Sequence, residues 1–153
     1  MKRFALRIDD ELCWGCKTCE AACKQENRTP DDVKLIRVLE EGPELADGKW
    51  HYVFRVNRCL HCDEPPCVPA CPVEAIYRRE DGIVVMDYEV CTGCRDCISA
   101  CPYDAIDFDV QGNVAKKCNL CHHRIDNLLL PACADNVCLA HCIHLEEMEE
   151  GSP

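Results

Sequence analysis

The sequence predicts an α+β chain in which short hairpins and one- or two-turn helices are threaded between cysteine-rich loops. Three observations carry that prediction. Seventeen of the 153 residues are cysteine, and sixteen of them sort into four groups of four whose last two members are separated by three residues. The stretches between the groups alternate apolar and polar residues over strand-sized lengths and are punctuated by turn residues. The same short pattern also recurs within the chain.

Taken in chain order, residues 4–9 alternate as a short strand. Residues 20–22 and 98–100, just ahead of a final cysteine, suit one or two helical turns. Residues 33–39 and 50–56 read as two strands of an inserted hairpin, joined through Gly42-Pro43 and Asp47-Gly48, with Trp50, Tyr52 and Phe54 on one packed face. Residues 75–79, the turn Asp81-Gly82 and residues 83–86 form a tight hairpin. Residues 105–110, Gln111-Gly112-Asn113 and residues 114–116 repeat it. The acidic run Glu146-Glu147-Met148-Glu149-Glu150 reads as a solvated end.

The cysteine groups are Cys13, Cys16, Cys19, Cys23; Cys59, Cys62, Cys67, Cys71; Cys91, Cys94, Cys97, Cys101; and Cys118, Cys121, Cys138, Cys142, with Cys133 between. A disulfide scaffold is disfavoured because the cysteine number is odd and residues 1–13 hold no apolar run of export-signal length. Zinc also uses Cys-x2-Cys. In Cys91-x2-Cys94-x2-Cys97-x3-Cys101-Pro102, however, three thiolates within seven residues wrap a cubane better than they fill a tetrahedron about one ion. That run has the form of the bacterial ferredoxin motif, whose fourth cysteine ligates the other cluster of a pair. The first group keeps the spacing without the proline, and the second widens one gap to Cys62-x4-Cys67 but keeps Cys67-x3-Cys71-Pro72.

Repetition extends beyond the cysteines. Ile8-Asp9-Asp10-Glu11-Leu12-Cys13-Trp14-Gly15-Cys16 echoes Met86-Asp87-Tyr88-Glu89-Val90-Cys91-Thr92-Gly93-Cys94, and Cys71-Pro72-Val73-Glu74-Ala75-Ile76 echoes Cys101-Pro102-Tyr103-Asp104-Ala105-Ile106. Arg58-Cys59-Leu60-His61-Cys62 echoes Lys117-Cys118-Asn119-Leu120-Cys121. The expectation is one compact unit over residues 1–153 made of tandem bacterial-ferredoxin-like modules. One module joins 1–23 with 117–145, the second spans 57–116, and 30–56 is the inserted hairpin.

A formal net charge of −11 argues against nucleic acid or anionic lipid as a partner. No segment reaches membrane-spanning length, and thiols at this density point to a reducing compartment, the cytoplasm. Gly15 and Gly93 are expected to let backbone amides approach sulfur. Lys17 and Arg95, equivalent positions after a second cysteine, either place positive charge near the sulfurs or stand as surface charges. His61, His122, His123, His141 and His144 lie beside cysteines and read chiefly as outer partners of the sites or as surface residues, with a metal ligand at the fourth site as the lesser alternative for one of them. No nucleophile–base pair, phosphate loop or dinucleotide fingerprint is present, so catalytic residues are not expected.

The whole chain resembles the four-cluster electron-transfer subunits of molybdenum and tungsten pterin oxidoreductases, the group typified by the iron–sulfur subunit of dimethyl sulfoxide reductase. The resemblance rests on the first cysteine group, on His61-Cys62-Asp63-Glu64-Pro65-Pro66-Cys67-Val68-Pro69-Ala70-Cys71-Pro72, on Cys101-Pro102-Tyr103, and on Lys117-Cys118-x2-Cys121 followed by Leu130-Pro131-Ala132-Cys133. It implies an electron relay through three to four 4Fe-4S clusters, a large catalytic subunit carrying a molybdenum or tungsten pterin, and a further redox subunit or ferredoxin. It also implies that the groups exchange their last cysteines. One cluster would take Cys59, Cys62, Cys67, Cys101 and another Cys91, Cys94, Cys97, Cys71. A third would take Cys13, Cys16, Cys19 with Cys142 or Cys138, and a fourth Cys118, Cys121, Cys133 or Cys138 with Cys23. Here Cys133 and Cys138 are four residues apart and Cys142 precedes Ile143, a departure that leaves zinc on Cys118, Cys121, Cys133 and Cys138 open for the last site. Short forms of this kind are similar to the small subunits of aldehyde ferredoxin oxidoreductase-type tungsten enzymes such as class II benzoyl-CoA reductase. Alternatives to the relay subunit are a free-standing polyferredoxin and a zinc-stabilised interaction module.

Overall fold

A computed structural model describes residues 2–149, with the side chain of Glu149 excepted. All of its sheets are two-stranded antiparallel ribbons. Strand β1 (Lys2–Ile8) pairs with β8 (Ile143–Glu149). The long hairpin is β2 (Ile36–Ala46) with β3 (Lys49–Arg58). The two short ones are β4 (Ile76–Arg78) with β5 (Val84–Met86) and β6 (Ile106–Asp109) with β7 (Val114–Lys117). The helices are α1 (Thr18–Asn27), α2 (Asp96–Ala100) and α3 (His122–Ile125).

Several outcomes differ from the sequence reading. The acidic run is not a free end: up to Glu149 it is strand β8, where Lys2 meets Glu147 at 2.6 Å and Arg7 meets Glu146 at 3.3 Å, ion pairs that offset the crowding of carboxylates. Glu150 lies outside the described residues. Helix α1 runs well past the two turns expected. No proline follows Cys23, so the helix continues to Asn27, whereas Pro102 forces Cys101 into an extended conformation and stops α2 at Ala100. In the inserted hairpin, Gly42-Pro43 does not join the strands but sits at a bulge between Glu41 and Glu44, and Asp47-Gly48, both with positive φ, makes the turn.

The face of that hairpin is not packed as expected. Trp50 is 70% and Tyr52 47% exposed, and Phe54 alone reaches the body of the chain, with Tyr52 edge-on to it at 5.1 Å. The base of the hairpin is fastened by polar contacts. The Val38 amide donates to Glu20 (2.7 Å), the Val56 amide to Asp10 (3.0 Å), and Arg37 pairs with Asp107 at 3.0 Å.

Two apolar clusters form the interior. One gathers Leu6, Val33, Ile36, Val56 and Ile143 with cysteines of the first and fourth groups. The other gathers Ile76, Val84, Ile106 and Ala115 with Cys67 and Cys97. Around β5 the alternation of side chains serves both: Ile83 and Val85 enter the first cluster and Val84 the second.

The residue before each second cysteine has a positive φ: Gly15, His61, Gly93 and Leu120. A Cβ on Gly93 would lie 2.3 Å from the Asn113 carbonyl oxygen, and one on Gly15 would lie 2.3 Å from the Phe54 ring. The glycines therefore serve close packing, and the amides that reach sulfur belong to other residues. Gly93→Ala is expected to cost at least about 1–2 kcal/mol from the left-handed conformation alone, read as loss of visible absorbance at a lower guanidinium concentration.

Candidate metal centres

In the first, second and third groups the first three thiols lie within one short segment. The fold then brings a fourth from elsewhere. Cys59, Cys62 and Cys67 line a pocket with Cys101, closed by Pro65, Val84 and Ile106. Cys91, Cys94 and Cys97 line a second pocket with Cys71, closed by Ile76 and Met86. The last cysteines of these two groups are thus exchanged. Cys118, Cys121 and Cys133 stand with Cys23, and Asn27 Nδ2 reaches both Cys23 Sγ (3.5 Å) and Cys121 Sγ (4.0 Å). Cys13, Cys16 and Cys19 neighbour one another, and Cys142 joins them together with Cys138, the two sulfurs 3.5 Å apart. Among the described residues, no three His, Cys, Asp or Glu side chains converge as a single ion requires.

Burial is the first cause of the thiol shifts, and neighbouring thiolates add to it. Cys67 and Cys97 are pushed up to about 11, and Cys19 and Cys118 to about 12. Cys23 and Cys133 are driven higher still. Cys16 goes the other way, lowered by the Thr18 hydroxyl at 3.2 Å. Buried thiolates need positive partners and N–H donors, and donors are present. The amides of His61, Ala75, Leu120 and Cys142 point at Cys59, Cys71, Cys118 and Cys138 sulfurs at 3.3–3.4 Å.

Lys117 and His61 complete the setting. Lys117 is 1% exposed, and its ammonium donates to the Val84 and Cys118 carbonyls, the latter at 2.7 Å. His61 is buried and accepts the Val84 N–H at Nδ1 (3.0 Å), which places the ring proton on Nε2. Burial and then the charges of Lys117 and Arg58 hold this imidazole well below its ordinary pKa, hence neutral. Nε2 finds no protein acceptor among the described residues. Four thiols converging on an apolar pocket, with backbone N–H donors aimed at sulfur, are the donor set a 4Fe-4S cluster takes, so the residues fit one.

The other basic side chains near the sites are engaged elsewhere. Lys17 pairs with Glu40 at 2.8 Å, and the Arg95 guanidinium lies 3.9 Å from the centre of the Phe108 ring. His123 pairs with Glu26 and His122 with Asp126, while His141 and His144 are exposed. Lys117 was not singled out by sequence reasoning. Its signal was the echo that puts a basic residue directly before both Cys59 and Cys118.

Crossed sets of four thiols hung on paired hairpins define a ferredoxin-type iron–sulfur protein of α+β class. Residues 50–148 and residues 12–76 each match a 4Fe-4S dicluster domain family. The chain is 43% identical to the B component of tetrathionate reductase from Salmonella typhimurium (88% of this chain, 54% of that protein). It is 37% identical to the B component of polysulfide reductase from Wolinella succinogenes (97% and 78%) and 38% to that of anaerobic dimethyl sulfoxide reductase from Haemophilus influenzae (88% and 70%). The chain spans little more than half the length of the first of these relatives. It belongs to the 4Fe-4S dicluster family, in the group of dimethyl sulfoxide reductase iron–sulfur subunits.

Proposed function

We propose that the chain relays single electrons along a row of four 4Fe-4S sites between a soluble donor or acceptor and a large catalytic subunit carrying a molybdenum or tungsten pterin. The observation that carries this reading is the order in which the thiol sets adjoin. Cys19 borders Cys23 and Cys133, Cys118 borders Cys59, and Cys67 borders Cys97. The sets therefore run first, fourth, second, third, and the two exposed cysteines, Cys16 and Cys94, belong to opposite ends of the row. Bound at such sets, 4Fe-4S clusters supply reversible one-electron oxidation and reduction.

The residues of the chain do the tuning and docking. Amide donors and the Lys117 ammonium favour the more negative, reduced state of the sites they face. Around Cys16 the side chains of Leu12, Trp14 and Leu139 are exposed, an apolar rim on an acidic chain that supports a protein partner there. The reductase names of the relatives support a catalytic subunit as that partner, while the pterin and its metal come from the resemblance. Residues 1–23 with 117–145 and residues 57–116 act as the two modules. The density of unpaired thiols supports the cytoplasm, and among the described residues no helix is long and apolar enough to cross a bilayer.

The last set is read as a cluster because Cys23 crosses to it as Cys71 and Cys101 cross to theirs. Anaerobic purification should give about sixteen iron and sixteen sulfide per chain, four cubanes of four. One zinc in place of four iron would assign that set to zinc, and a colourless, sulfide-free, folded protein would end the relay reading. Cys97→Ser is expected to lose the iron of one site and cut electron flux to a copurified catalytic subunit at least about tenfold, a barrier change near 1.4 kcal/mol. Turnover of that subunit with an artificial donor should be unchanged.

A further inference from the structure

Three turns in the chain share one backbone. After Cys71, Cys101 and Cys138 come two turn residues and then a residue in the left-handed region: Glu74 (φ 54°), Asp104 (φ 49°) and His141 (φ 50°). The amide of each donates back to the cysteine carbonyl, at 3.2, 3.5 and 3.0 Å. Next comes a buried small residue, Ala75, Ala105 or Cys142, and then a buried isoleucine that opens a strand: Ile76 of β4, Ile106 of β6, Ile143 of β8. In two of the three, the amide of the buried small residue also donates to the cysteine sulfur, Ala75 to Cys71 at 3.3 Å and Cys142 to Cys138 at 3.4 Å.

The equivalence aligns Cys138 with the two crossing cysteines and puts Cys142 where the other turns carry alanine. The surplus residue between Cys133 and Cys138 is absorbed at Asn136, which takes φ 56° and donates its amide to the Ala134 carbonyl at 3.0 Å. Two facts give Cys142 a use beyond filling an alanine site. It is 1% exposed with its sulfur 3.5 Å from that of Cys138, and it also faces Cys13 of the same set. The first set thus holds five thiols for the four iron corners of one cubane.

We infer that Cys138 is the fourth ligand of the first site and that Cys142 is a reserve iron ligand, poised to take the corner that Cys138 leaves. This rests on the cluster reading above. The exchange needs no oxidant or reductant: the iron–sulfur bond to Cys138 breaks as one to Cys142 forms, and the Cys142 thiol proton passes to the departing Cys138 thiolate, its sulfur 3.5 Å away. A reserve thiol is useful at this site because Cys16 is exposed there, so the cluster at this end meets solvent and partner most directly.

The test uses the full chain purified anaerobically as wild type, Cys142→Ala, Cys138→Ala and the double variant, with iron, acid-labile sulfide and the electron paramagnetic resonance of the reduced protein measured on each. Wild type without iron or sulfide would remove the cluster reading itself. With wild type loaded, Cys142→Ala should keep all its iron and the wild-type spectrum. Cys138→Ala should keep all its iron with one signal altered, and the double variant should lose about a quarter of its iron and sulfide, one site of four. Loss of a quarter in Cys142→Ala would make Cys142 the ligand and overturn the assignment. Cys138→Ala behaving like the double variant would overturn the reserve role, and an unaltered spectrum would remove Cys138 from the site. Should Cys138→Ala not accumulate, Cys138→Ser is read by the same criteria, and failure of both with Cys142 intact counts against the reserve.

Discussion

Stripping iron from the anaerobic protein with a chelator is expected to unfold most of it, with far-ultraviolet circular dichroism collapsing in step with the visible absorbance. A third of its buried apolar residues are cysteines, and among the described residues no aromatic side chain is fully buried. Every sheet is a two-stranded ribbon, a unit that is marginal by itself in water. The crossing cysteines are what tie each loop to a distant one, so the metal supplies the long-range constraints that a larger core supplies elsewhere. The pH dependence has a definite sign. Thiols raised to about 11 or 12 by burial, such as Cys67, Cys97, Cys19 and Cys118, are protonated at neutral pH in the metal-free fold. Loading ligates them as thiolates and releases those protons, so acidification weakens reassembly and mild alkali favours it. In the metal-free fold the same raised values work against stability once pH climbs past the ordinary thiol range, because the unfolded chain ionises first. A chelated protein whose dichroism is unchanged at neutral pH would show that the polypeptide core suffices.

The first three cysteine groups were legible because three ligands of each lie within one short segment, and the hairpins after Ala75 and Ala105 were legible because their turns carry Asp-Gly and Gly-Asn. What escaped was set by contacts across long sequence separations or by backbone conformation without a residue signature. Strand β8 reads as an acidic tail until β1, at the other end of the chain, supplies Lys2 and Arg7. Alternation at Trp50, Tyr52 and Phe54 identified a strand face but not whether anything covers it, and only Phe54 is covered. The turn after Cys138 uses His141 in a left-handed conformation where glycine would have announced it. The ferredoxin motif implied that a last cysteine crosses to another cluster, but which groups exchange came through family resemblance, since spacing does not say which pocket a fourth thiol enters.

Replacing Lys117 with methionine is expected to lower the reduction potentials of the two sites that meet beside it. Cys118 of one set borders Cys59 of the next, and the ammonium acts on Cys67 as well as Cys118, in both cases favouring the thiolate. It is held there by the carbonyls of Val84 and Cys118, and the Val84 amide is taken by His61, so one residue of β5 anchors both groups. At a separation of roughly 8 Å and an effective dielectric of about 20, a unit charge changes the energy of an added electron by about 2 kcal/mol. With about 59 mV for each tenfold change of a one-electron equilibrium, the shift is roughly 90 mV downward. Methionine also leaves two buried carbonyls without their donor, a loss of about 1–3 kcal/mol each, so the variant should be less stable too. Lys117→Arg separates the effects, because it restores charge and donors and should return the potentials most of the way whatever packing it disturbs. Redox titration followed by electron paramagnetic resonance reads all three proteins. If Lys117→Met leaves every potential where it was, the buried ammonium is a structural peg and the middle step of the relay is set by the amide donors alone.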